Sequence, residues 1–166
     1  MNEILREVFR YNDWATKTLI AACKGLAADQ LDHPAGGFGS LIATLNHVVR
    51  CDAGYAATLT GVRPPWVADG ADTDDLDQLE SRANETARAW EELLAEPVDA
   101  ERMLFLDGGG YACPATVVVA QAVHHANAHR EQVRAGLKAL DVSLPDLQPW
   151  EYALDTGRAH WRRKND

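Results

Sequence analysis

Apolar residues return at steps of three and four over four separate stretches of about twenty residues, and this helical period is the strongest constraint on the fold. In the first stretch Ile4, Leu5, Val8, Tyr11, Ala15, Leu19 and Ala22 form one stripe, and Gly25 follows as a stop. The second, LIATLNHVVRCDAGYAATLTG, opens after Ser40, whose side-chain oxygen can cap free N–H groups, and closes at Gly61. The third begins near Asp74 and carries Leu76, Leu79, Ala83, Ala87, Trp90 and Leu94 until Pro97. In the fourth, Pro114 suits a first helical turn and the pattern runs through TVVVAQAVHHANAHREQVRAGLKAL to about Leu140. No stretch shows strong strand alternation. The period predicts an all-α chain: an antiparallel four-helix bundle with a long crossover and a short extra C-terminal helix.

The connecting segments fit that plan. The segment ending in GGFGS reads as irregular, and Pro64, Pro65 and the acidic run Asp69, Asp72, Asp74 and Asp75 read as a crossover on the surface. RMLFLDGGGYACPA favours a hairpin or an open loop over a helix. Pro145 and Pro149 bracket a loop, after which WEYALDTG predicts a short final helix that packs Trp150, Tyr152 and Leu154 onto the bundle. With 166 residues, no internal repeat and no low-complexity segment, the expectation is one domain over 1–166.

Charge and cysteine usage narrow the function. Sixteen Lys and Arg against 25 Asp and Glu leave a formal charge of −9, which repels a phosphate backbone, so nucleic acid is not an expected partner. The basic cluster RAHWRRK, Arg158 to Lys164, reads as a solvated tail. Three cysteines, Cys23, Cys51 and Cys113, are widely spaced and form no C-x-x-C pair, which predicts neither a disulfide framework nor a zinc knuckle but a reducing compartment. The opening MNEILREVFRYNDW is too polar for a signal peptide and no stretch approaches the ~18 apolar residues of a membrane span, so a cytoplasmic protein without membrane contact is expected.

Chemistry concentrates in the histidines. His125 and His129 stand at i and i+4, on one helical face, and both can turn a ring nitrogen to a single ion. H-x-x-x-H arises readily by chance, so the surroundings matter. The pair follows Val117, Val118, Val119, Ala120, Ala122 and Val123, which sends polar rings toward a core, where an imidazole must be hydrogen-bonded or ligate something. His47, beside Leu45, Val48 and Val49 in another helix, supplies a third. The plain alternative is three core histidines satisfied by backbone or carboxylates. As metal ligands, His47, His125 and His129 would leave a coordination position open for water or substrate, and Zn, Ni or Fe(II) would all accept them. His124 points about a third of a turn away, toward a supporting or surface role, and His33 and His160 read as solvated. A metalloprotease is excluded: H-A-N-A-H lacks the glutamate general base. Cys51, one turn after His47, reads as a small buried hydrophobe or a weak fourth ligand, and Asp52 as a ligand-orienting or a surface carboxylate.

RYNDWA in the first helix, SLIATLNHVVRCDAGY around His47 and VHHANAHREQV in the fourth helix resemble the DinB/YfiT-like metal-binding four-helix bundles over nearly the whole chain. In that family a second-helix histidine and a later H-x-x-x-H-R bind a divalent metal, which maps onto His47, His125 and His129, with Arg130 as the following arginine. WEYALDTG resembles the family's C-terminal segment, and His124 stands where asparagine is frequent. The resemblance implies a homodimer and, from the damage-inducible genes of the founding members, a stress response. Some relatives are transferases that use a low-molecular-weight thiol such as bacillithiol, mycothiol or glutathione. It therefore implies a metal-dependent thiol transferase, or a hydrolase, acting on a small-molecule substrate, with Tyr11, Trp14, Asp52 and Arg130 as candidate pocket or supporting groups. The competing expectation is a non-catalytic binding or structural module whose metal clips the helices together.

Overall fold

The four apolar stripes form four long helices in a computed structural model that describes residues 2–162. They are α1 (Asn2–Cys23), α3 (Leu41–Thr60), α5 (Leu76–Ala95) and α6 (Ala115–Ala139), with short helices α2 (Ala28–Leu31), α4 (Pro65–Ala68) and α7 (Pro149–Asp155) between and after them. Local chemistry sets the ends. Ser40 Oγ accepts from the Ala43 N–H at 3.3 Å, and Gly61, in the left-handed conformation at φ 78°, donates its N–H to Ala57 to stop α3. Asp75 accepts from the N–H groups of Asp77 and Gln78 to start α5, and the helix halts just before Pro97.

The all-α expectation broadly fits, with the hairpin being one of the two forms expected of its segment, and several details are corrected. The chain is mostly helical but not purely so: β1 (Met103–Leu106) and β2 (Tyr111–Pro114) make a two-stranded antiparallel hairpin, and Pro114 ends β2 as the cap of α6 rather than lying in its first turn. The glycine-rich segment and the acidic crossover each hold one short helix, α2 and α4. On α7 only Tyr152 is buried; Trp150 stands 70 % exposed. Of the basic C-terminal cluster, Arg163 and Lys164 lie outside the described residues, while residues 158–162 are exposed as expected, with Arg158 pairing with Glu7 at 2.8 Å on the surface.

α1 packs on α5 and α6, and α3 packs on the same two helices. The buried apolar residues fall into two clusters. Leu19, Leu41, Leu45, Leu79, Val133 and Leu137 anchor one, and Phe9, Leu59, Trp90, Leu94, Leu104 and Val118 the other. Along the chain α1 and α6 run from the second cluster to the first, whereas α3 and α5 run from the first to the second. α3 and α5 are thus parallel, which is why residues 61–75 must cross the length of the structure between them. The paired Leu104 and Cys113 of the hairpin are both buried and close the second cluster, where Phe9 stacks on Trp90 at 3.8 Å. Between the clusters lie the buried polar residues Asn12 and Thr16 of α1 and Arg130 of α6, with the half-buried Asp52 of α3. Among the described residues no helix is long and apolar enough to cross a membrane.

Candidate metal centre

His47 on α3 faces His125 and His129 on α6, and the three half-buried side chains each offer a ligand atom within 4.8 Å of the others. Ring centroids are 4.4–4.7 Å apart, and Nε2 of His125 lies 2.9 Å from Nε2 of His47. Two nitrogens on a tetrahedral ion at about 2.0–2.1 Å stand about 3.4 Å apart, so a pair at the 4.8 Å limit closes by about 1.4 Å, a ring rotation, to share a metal. Burial, then the charge of neighbouring imidazoles, pushes His47 below the ordinary histidine range and His125 down to about 4. His47 and His125 therefore resist protonation and keep lone pairs available. Nδ1 of His125 is a buried polar atom without a hydrogen-bond partner, which in a cluster of this composition fits a ligand set better than a set of satisfied core histidines.

Sequence reasoning missed the two residues that hold these rings. Gln132, one turn beyond His129, accepts at Oε1 from His129 Nδ1–H over 2.8 Å, which leaves the Nε2 lone pair free for a metal. The i, i+3 spacing of an amide to a ligand histidine is a signal that was present to be read. Phe38 stacks on His47 at 3.9 Å and sets its edge on His129 at 5.3 Å, covering the cluster from the glycine-rich loop. Nothing in the local sequence announces that contact, because the loop is placed by a distant residue. A Cβ on Gly136 of α6 would lie 2.9 Å from Leu41 Cδ2 and 3.1 Å from the Pro34 carbonyl oxygen, so only glycine admits the loop that close. Gly36, at φ 75°, then brings the loop against the Gln132 side chain.

Cys51 is half-buried with Sγ 3.6 Å from His47 Nδ1, beside the cluster rather than converging with it, and burial pushes its thiol up. Tyr55, a turn further along α3, meets His125 edge-on at 5.7 Å. From these two residues a cleft of about 780 Å³ opens toward the hairpin.

The remaining expected site residues go elsewhere. Arg130 turns from the cluster into the core and donates to the Asn12 carbonyl at 3.0 Å, Asn12 Oδ1 at 2.6 Å and Thr16 Oγ1 at 3.1 Å. Asp52 is half-buried, not a surface carboxylate; it accepts from Trp90 Nε1–H at 2.9 Å and from the Asn12 amide at 3.2 Å, and desolvation pushes it up to about 7. Tyr11 donates to the Leu147 carbonyl and Trp14 to Asp155, so both serve the docking of α7. His124 and His160 are exposed, while His33 is half-buried.

A sequence model of the DinB family matches residues 1–151, a span that contains all three histidines. The chain belongs to the DinB family. No curated protein matches it. In this DinB chain the residues the family motif points to as ligands are also the three that the fold draws together from α3 and α6.

Proposed function

We propose that this DinB protein is a metal-dependent enzyme in which His47, His125 and His129 hold one divalent transition metal, Zn, Ni or Fe(II). It transfers a low-molecular-weight thiol to a small electrophilic substrate, with metal-assisted hydrolysis as the close variant. The observation that carries the reading is the convergence of three imidazoles within 4.8 Å beside a cleft that their neighbours Cys51 and Tyr55 line, a donor set that leaves coordination positions open. A divalent ion held there supplies Lewis acidity, which lowers the pKa of a thiol or water that reaches it. The chain's own residues do the rest. Gln132 fixes the tautomer of His129, Phe38 shields His47 and His129 from water, and the depressed basicity of His47 and His125 keeps protons from displacing the metal. Cys51 and Tyr55 flank the approach from the cleft.

The antiparallel pairings α1 with α5 and α3 with α6 support reading the four long helices as the family's four-helix bundle. The same resemblance supports a cytoplasmic homodimer active in a stress response. Elemental analysis of untagged protein tests the metal reading: about one equivalent of a transition metal is expected in wild type, and less than about one-tenth in His47→Ala and His125→Ala. A full equivalent retained in both variants would overturn it. Thiol transfer is then tested by incubating metal-loaded protein with bacillithiol, mycothiol or glutathione and an alkyl halide, with adduct formation expected only for protein that holds metal.

A further inference from the structure

The cleft beside the histidine cluster has a chemistry of its own. His47, Cys51, Tyr55 and Thr58 follow one another along one face of α3, and the last three line the cleft. Past Gly61 the chain turns back and adds Arg63 to the same lining. The other walls are apolar: Val67 and Val118 are buried, and Phe105 of the hairpin is 72 % exposed. From Cys51 to Thr58 the helix rises about 10 Å, so the cleft runs from Cys51, which touches His47, to Arg63 just past the end of the helix.

Two arginines in one cleft are unexpected in a chain with a net charge of −9. They are not equivalent. Arg50 is already engaged by Asp72 and by the Gly70 carbonyl oxygen. Arg63 is exposed and has no ion-pair partner among the described residues, so its planar set of donors is open to a ligand. Among the described residues of the lining Asp69 is the one acidic side chain, and it disfavours a second negative charge on whatever binds.

We propose that this cleft is a subsite for an elongated, largely apolar monocarboxylate, whose carboxylate is held by Arg63 while its opposite end is delivered past Cys51 and Tyr55 to the histidine cluster. A planar carboxylate matches a single open guanidinium, whereas a phosphate dianion would bring a second charge that Asp69 opposes. The identity of the reacting end rests on the metal-centred reading above; the carboxylate subsite does not, because none of its contacts involves a metal.

The test separates the two. Isotope-labelled protein without metal is titrated with 6-phenylhexanoate and with its neutral amide, and amide shifts are followed by NMR. The acid is expected to bind at least about fivefold more tightly than the amide, with the largest shifts at residues 54, 55, 63 and 118. Arg63→Gln, an exposed position that leaves the fold alone, should abolish that preference, while Arg88→Gln, which makes the same charge change outside the cleft, should preserve it. An undiminished preference in Arg63→Gln, or no difference between acid and amide in wild type, would overturn the subsite. Absence of bound metal in the elemental analysis would overturn only the metal-centred reading.

Discussion

At the residue scale His47 and His125 are bases held against protonation. His125 has a folded-state pKa near 4 against an ordinary value of 6.5, so in metal-free protein the unfolded chain binds the extra proton between those values. Its contribution is harmless above about pH 6.5 and turns progressively destabilising as pH falls toward 4. The half-buried Asp52, raised to about 7, contributes in the opposite direction over an overlapping window, so a bare pH–stability curve mixes the two. The difference between wild type and His125→Gln isolates the histidine. Thermal melts of the metal-free pair should show wild type gaining on the variant as pH rises from 4 to 6.5, then running level; a gap independent of pH would refute the burial account. Gln132 acts on the same rings through orientation. Gln132→Ala should weaken metal affinity by about 10–100-fold, read by competition with a chromophoric chelator, while the helix signal stays unchanged.

At the element scale, what a segment owes to its own sequence was legible and what it owes to distant partners was not. The stripes of α1, α3, α5 and α6 and the caps at Ser40 and Gly61 are local effects, and they stand within a few residues of where the apolar period puts them. His47, His125 and His129 were readable as candidates because the ring pair lies one turn apart and the third sits among apolar neighbours. Arg130 was misplaced because sequence adjacency to His129 says nothing of direction: one residue along a helix turns a side chain by about 100°, here from the cluster into the core. Phe38 depends on a loop held by Gly136, ninety-eight residues from the aromatic ring it helps to place. That makes Gly136→Ala informative. Alanine favours an α-helix over glycine by about 1 kcal/mol, yet the new Cβ would press on Leu41 and on the Pro34 backbone, a clash of about 1–3 kcal/mol. Net destabilisation in urea is expected together with weaker metal binding, since the loop that carries Phe38 must lift. Unchanged affinity in a folded Gly136→Ala protein would show that the loop does not support the centre.

At the scale of the whole molecule the question is whether the metal builds the fold or uses it. A structural clip is needed where little else joins the helices, as in small domains that unfold when stripped of zinc. Here α3 and α6, which carry the ligands, are already tied below the cluster. Arg130 of α6 holds Asn12 of α1, Asn12 holds Asp52 of α3, and Trp90 of α5 closes the chain of hydrogen bonds, with Asn12, Trp90 and Arg130 buried and Asp52 half-buried. Two apolar clusters, one on either side of this layer, pack the same helices together. With the donors positioned by the protein, metal adds local binding energy without being a condition of folding. Stripping the protein with a chelator should leave its far-ultraviolet helix signal within about a tenth of the loaded value, and its thermal midpoint should recover with added metal as mass action requires. The double variant Asn12→Ala, Trp90→Phe should reverse the relation, since it loosens the layer beneath the ligands and makes the remaining stability depend more steeply on metal. Loss of most of the helix signal on chelation of the wild-type protein would instead assign the metal the clipping role, and with it the non-catalytic reading.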